Sequence, residues 1–143
     1  MRERFDMSDR IGVMRRGPER HGEVFLVEAR TIRQRALGLM GRELQRLPRD
    51  AGVLFSRCTC IHTFGMRGPI SLTWIREEVG WPGRTIEEVS IDASVPPNRI
   101  VWGPRGATGV IEAHECPVDI ELKRPPSLEI WGRNEESEGE ICM

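Results

Sequence analysis

At 143 residues the chain has the length of one domain, long enough to build a single core without disulfide or metal support. A hydrophobic content of 38% with 30% charged residues argues against a disordered chain, and a net charge of −1 argues against a general attraction to nucleic acid or acidic lipid. No apolar run approaches the ~20 residues that a membrane helix needs, and the N-terminal segment lacks the apolar stretch of a signal peptide. The expected address is therefore a bacterial-like cytoplasm.

Lys123 is the only lysine among 21 basic residues, so all the others are arginine. They are scattered rather than blocked, which reads as codon bias more than as a phosphate-binding device. Four cysteines in such a chain do not describe a disulfide scaffold.

Residues 1–21 carry many arginines with little periodicity and read as a flexible arm. Residues 22–132 read as one β-rich domain, and residues 133–143 as an acidic, frayed tail. Within the domain, Glu23 to Ala29 is rich in β-formers and predicts the first strand. Thr31 then stands as a helix N-cap, with Gln34 completing a Thr-x-x-Gln capping box. Ile32, Ala36, Leu39 and Met40 share a helical face, and Gly41 is the expected stop. The outer face would carry Arg33 and Arg35, with Arg30, Arg42, Arg46 and Arg49 close by as a local positive zone.

From Gly52 onward the pattern is β. Gly52 to Phe55 is a short apolar run. Ile70, Leu72 and Trp74 alternate with Ser71, Thr73 and Ile75, predicting a strand with one face inward. Glu77 to Gly83 supplies turn residues for a hairpin, and Arg84 to Ile91 the return strand. The apolar phase slips across Glu87 and Glu88, which predicts a bulge. Pro96-Pro97 breaks the chain before further short strands at Arg99 to Trp102, Gly109 to Ala113 and Leu128 to Trp131. Many short strands with one short helix near the N-terminus predict a single mainly-β domain, sandwich or barrel-like.

The string TIRQRALGLMGREL, then GVLF, then HTFGMRGPI, then GVIEAHE resembles the domain of unknown function 192 family. The match spans about Glu23 to Glu115. The resemblance implies a compact β-sandwich or barrel-like domain and no established activity. Where the family carries an acid after Pro-Ile, this chain has Ser71, so a catalytic or metal-binding carboxylate at that position is ruled out here. The family's Leu-Pro-Ala-Gly segment is replaced around His114, Glu115, Cys116 and Pro117.

The motif also has its own physical reading. Gly65 permits an unusual backbone dihedral or a close approach, and Gly68-Pro69 favours a turn. Phe64 and Met66 are large apolar residues expected to fill core. His62 and Arg67 are the polar residues with binding chemistry, as a neutral-pH hydrogen-bonding group and an anion holder respectively. The alternative for His62 is a buried ring bonded to backbone, and for Arg67 a bond to turn carbonyls. The tentative ligand-binding set is thus His62, Phe64, Met66 and Arg67.

Cys58, Cys60 and His62 alternate, as do His114 and Cys116, which raises a zinc hypothesis. Positions two apart on a strand lie about 6.5–7 Å apart, too far for one zinc with its ~2.3 Å bonds to sulfur unless cysteines pair across strands. No metal is therefore expected; the cysteines read first as small buried hydrophobes, and a disulfide from Cys116 to Cys58 or Cys60 is a second use of these thiols. A cysteine nucleophile with His62 as base lacks any visible oxyanion hole. No P-loop, dinucleotide fingerprint or Gly-x-Ser-x-Gly is present, so no cofactor is expected. Trp74 and Trp102 are expected in the core. The functional expectation is a non-catalytic accessory domain that binds a small molecule or a protein partner, with nucleic acid a disfavoured partner. The alternative is an enzyme or metal-binding protein using His62 with the nearby cysteines.

Overall fold

The computed structural model describes residues 4–15, 23–80, 83–115 and 127–130. Its strands are β1 (Gly12–Arg15), β2 (Glu23–Glu28), β3 (Ala51–Phe55), β4 (Cys60–His62), β5 (Ile70–Gly80), β6 (Gly83–Val95), β7 (Ile100–Trp102), β8 (Gly109–His114) and β9 (Ser127–Ile130). Two short helices, α1 (Ile32–Leu37) and α2 (Glu43–Arg46), lie between β2 and β3.

Among the described residues seven strands make one sheet in the order β6-β5-β8-β3-β2-β1-β9, and β4 and β7 make a separate two-stranded ribbon. β2 and β3 run parallel, with Val27 opposite Val53, while the other neighbours are antiparallel. A parallel pair needs a crossover, and α1 with α2 provides it. The sheet curls into a half-barrel, bringing β6 and β9 near each other.

Both faces of the sheet are covered, and this explains its sequence. Leu26, Leu54, Ile75, Ile86 and Ile111 fill the inside of the curl. Val27, Val53, Phe55, Leu72, Trp74 and Val110 belong to a second cluster with Leu39, Leu44, Ile61 and Met66. A strand covered on both sides reads as a continuous apolar run rather than an alternation. β5 therefore departs from the one-face expectation: every residue from Ile70 to Ile75 is buried, Ser71 and Thr73 included.

Other expectations are corrected by packing. The arm reading fails for residues 4–15. Phe5 is buried, and Gly12–Arg15 pairs with β2 on one side and β9 on the other. Ile11, Val13 and Met14 are all buried, a short apolar run with no period to set it apart from the surrounding arginines. Residues 16–21 and 133–143 lie outside the described residues.

The Thr31 capping box forms as expected, with Gln34 N–H donating to Thr31 Oγ1 at 3.0 Å and Thr31 N–H to Gln34 Oε1 at 3.1 Å. The face assignment of α1 fails at two positions, while Arg33 is exposed and Leu39 buried as expected. Ile32 is 71% exposed, while Arg35 is buried and donates from Nη2 to Ser56 O at 2.7 Å. The cause is length. The helix ends at Leu37, and Gly38 turns the chain at φ +47, so Leu39 and Met40 are no longer placed by the helical period. β6 starts and ends outside the expected return strand, and Trp74 faces Ser90 while Ile75 faces Glu88, leaving Val89 as the extra residue of a bulge. No helix among the described residues is long and apolar enough to cross a membrane.

Candidate binding surface

The HTFGMR segment is held by one buried side chain that the sequence reading passed over. Thr63 is fully buried, and its Oγ1 donates to Pro96 O at 2.8 Å and accepts from Arg99 N–H at 2.9 Å. Its backbone N–H donates to Arg99 O, and its carbonyl accepts from Asn98 N–H. These bonds tie the motif to the loop leading into β7. On the other side Gly65 adopts φ +77, and a Cβ there would lie 2.8 Å from Met40 Cε. Gly41 N–H donates to Gly65 O at 2.9 Å. The two strings that carry the family resemblance thus meet through Met40-Gly41 and Gly65-Met66.

This anchoring sorts the four expected binding residues. Met66 is buried, as a core residue should be. Phe64 is 45% exposed and stacks on His62 with ring centroids 5.5 Å apart, so its assignment to the core is corrected: the Gly65 turn carries it outward. Arg67 is exposed. His62 is half-buried, and its Nδ1 is buried with no hydrogen-bond partner among the described residues.

Beneath His62 lies a crevice of about 10 Å³, shared with Arg35, Gly38, Met66 and Glu112. Glu112 interrupts the apolar run of β8 and points into the outer core, opposite Val53 and Leu72. Burial pushes its carboxyl up to about 8, against one opposing bond from the Leu39 backbone N–H. Its Oε2 has no partner among the described residues, and a Cβ on Gly38 would sit 3.1 Å from it. His62 and Glu112, each carrying one unmatched buried polar atom among the described residues, therefore line one small space, with room for about one water molecule. That space is too small for an organic ligand. An acid within an otherwise apolar strand was the available signal for Glu112.

His114 belongs elsewhere. Its Nε2 lies 2.6 Å from Leu47 O, at the rim of an open groove of about 540 Å³ lined by Leu44, Arg46, Arg49, Pro69 and Glu115. His62, Arg67 and His114 do not converge on one pocket. Among the described residues no three His, Cys, Asp or Glu side chains gather as a metal-holding group. Cys58 is buried with its thiol donating to Cys60 O, and Cys116 lies outside the described residues. The positive zone around α1 is partly neutralised, since Arg30 pairs with Glu28 and Arg46 with Glu43, each at 3.4 Å.

The ribbon supplies what the crevice lacks. Cys60 faces Trp102, Ile61 faces Val101 and His62 faces Ile100. Ile61 turns inward, fully buried, so Cys60, His62, Ile100 and Trp102 share the outer face. Ile100 is 59% and Trp102 73% exposed. Trp102 is thus not core, in contrast to Trp74, which is buried with Nε1 donating to Asp92 Oδ2 at 3.2 Å. Residues 51–76 and 93–111 contain no aspartate or glutamate. The exposed Arg57, Arg67, Arg99 and Arg105 all lie in these stretches.

The family model for DUF192, Uncharacterized ACR, matches residues 15–115, which include both anchoring strings and β8. The chain belongs to this family. A solved structure from Sinorhizobium meliloti 1021, described provisionally as a transcription regulator, superposes with a TM-score of 0.61 at 18% identity, over 85% of this chain and 95% of that one. A protein of unknown function from Novosphingobium aromaticivorans DSM 12444 gives 0.57 at 20% identity, over 82% of this chain and 83% of that one. At such identities the likeness is one of fold alone. Among curated proteins no sequence matches this chain.

Proposed function

We propose that this DUF192 member is a non-catalytic binding domain that engages a partner macromolecule through the outer face of the β4–β7 ribbon. The observation carrying this reading is the exposed apolar trio Phe64, Ile100 and Trp102, which shares its acid-free stretches of chain with four exposed arginines. Exposed aromatic and aliphatic side chains with arginine are the composition of interface hot spots. In this reading His62 serves as the ring stacked on Phe64 and Arg67 as a peripheral cation. A partner is favoured over a small molecule at this face because the recess described below it has room for about one water. The catalytic alternative has less support, since the Cys58 thiol is buried and engaged with Cys60 O.

Site-directed photo-crosslinking in the native cell tests the proposal. A photoreactive residue at Ile100 should give a discrete adduct that is lost with Arg67→Glu, while one at Arg76, on the sheet, should give none. The absence of a discrete adduct at Ile100, or equal adducts from both sites, contradicts it.

A second reading concerns the groove near His114. Its volume of about 540 Å³ falls in the range of small-molecule sites, roughly 300–1,000 Å³, and Arg46 and Arg49 would favour an anionic ligand. Chemical-shift changes at His114 and Arg49 on titration with small carboxylates would support it. Their absence at millimolar ligand would remove it.

A further inference from the structure

The ribbon's bonding pattern leaves one edge unused. Thr63 N–H donates to Arg99 O, and Gly103 N–H to Thr59 O. In an antiparallel pair, bonded and non-bonded positions alternate. Ile61 and Val101 are then a bonded pair, and the N–H and C=O groups of Ile100 and Trp102 point away from β4. No other strand lies along that edge of β7 among the described residues. The same two residues expose apolar side chains on the outer face, with Arg99 before them and Arg105 after them. Main-chain groups awaiting a partner, apolar side chains and two flanking arginines therefore coincide within residues 99–105.

We infer that the partner contributes an extended acidic segment of another protein, which adds as an antiparallel strand to the outer edge of β7. The inference rests on the reading of this face as a binding surface and names what binds there. In this register the segment's apolar residues lie beside Ile100 and Trp102, and its acidic residues lie nearest the arginines that flank β7, Arg99 and Arg105. Strand addition takes affinity from main-chain bonds and specificity from alternate side chains. A nucleic acid would use aromatic platforms and phosphate contacts, leaving Ile100 and the paired donors and acceptors of the edge without a role. A lipid surface likewise has no groups to match a strand edge.

The test uses the full chain and a fluorescently labelled octapeptide alternating valine with glutamate, compared with the same composition in two blocks. Two further versions carry N-methyl groups on the valines or on the glutamates. Opposite Ile100 and Trp102 in antiparallel register, the valine amides face β7. N-methylation of the valines should therefore weaken binding at least about tenfold, a hot-spot-sized loss, while N-methylation of the glutamates should leave it nearly unchanged. Trp102→Ala, and Arg99→Glu with Arg105→Glu, should weaken binding comparably. Equal binding by both methylated peptides and the parent overturns strand addition. So does Trp102-dependent binding of oligothymidylate or phosphatidylglycerol vesicles with none of the peptide. If no peptide binds but Ile100 still yields its discrete cellular adduct, strand addition fails and the binding-surface reading survives. If the adduct is absent too, both fall.

Discussion

β5 and β7 are both short-range apolar patterns built around a tryptophan, yet the molecule treats them oppositely. In β5 each residue from Ile70 to Ile75 is buried, because the curled sheet has core on both faces. In β7 every side chain is at least partly exposed, and the two that alternate outward are isoleucine and tryptophan. Packing accounts for the apolar character of β5. It does not account for that of β7, where a polar residue would cost the fold little. This difference is why the ribbon face, and not the better-packed sheet, is read as the working surface.

The sharpest separation should come from the two tryptophans. Trp74→Ala removes a ring that is 1% exposed and its bond to Asp92, and should cost about 3–5 kcal/mol in urea denaturation. Trp102→Ala should change stability by no more than ~0.5 kcal/mol, as a surface substitution does. A large loss at Trp102 would mean that its exposed ring supports the fold, and the comparison would break.

Glu112 gives the next effect, through pH. Its folded carboxyl titrates near 8 against an ordinary 4.5, so the folded state holds a proton that the unfolded chain releases across this window. Its contribution to stability should be full below about pH 4.5 and decline as pH rises toward about 8, with a limiting slope of about 1.4 kcal/mol per pH unit. Glu112→Gln keeps the shape and a neutral group, and should flatten that decline and exceed the parent in stability at pH 9. An unchanged pH profile would show that the carboxyl is not held neutral.

A smaller loss is expected at the turn that covers it. Gly38 has φ +47, and a Cβ would crowd Glu112 Oε2 at 3.1 Å. Gly38→Ala should lower stability by about 2 kcal/mol, the scale of local backbone strain. Thermal melting with no shift would indicate that the Leu37–Leu39 turn relaxes freely.

What could be read from the residues divides by the range of the interaction that decides it. The Thr31–Gln34 capping box is settled three residues apart and was legible, as was the slip near Val89 that became the bulge. The family resemblance and the mainly-β class were legible too, because they rest on strings and repeating patterns. Arg35 was not, since its burial depends on Ser56 across the crossover and on a helix that ends at Leu37. Glu112 was hidden because its neutral state comes from desolvation by strands far away in sequence. The outward turn of Phe64 and the exposure of Trp102 depend on what fails to cover them, which periodicity does not encode. The motif drew attention to His62 and Arg67 from the string alone, while Thr63, Ile100 and Trp102 join them only in three dimensions.

Amide hydrogen exchange along β7 tests the central claim most directly. In the free protein Val101, bonded inward to β4, should be protected while Ile100 and Trp102 exchange rapidly. Addition of the valine–glutamate peptide should slow exchange at Ile100 and Trp102 selectively. Protection of these two amides in the free chain, or exchange unaltered at saturating peptide, would contradict an open edge that recruits a partner strand.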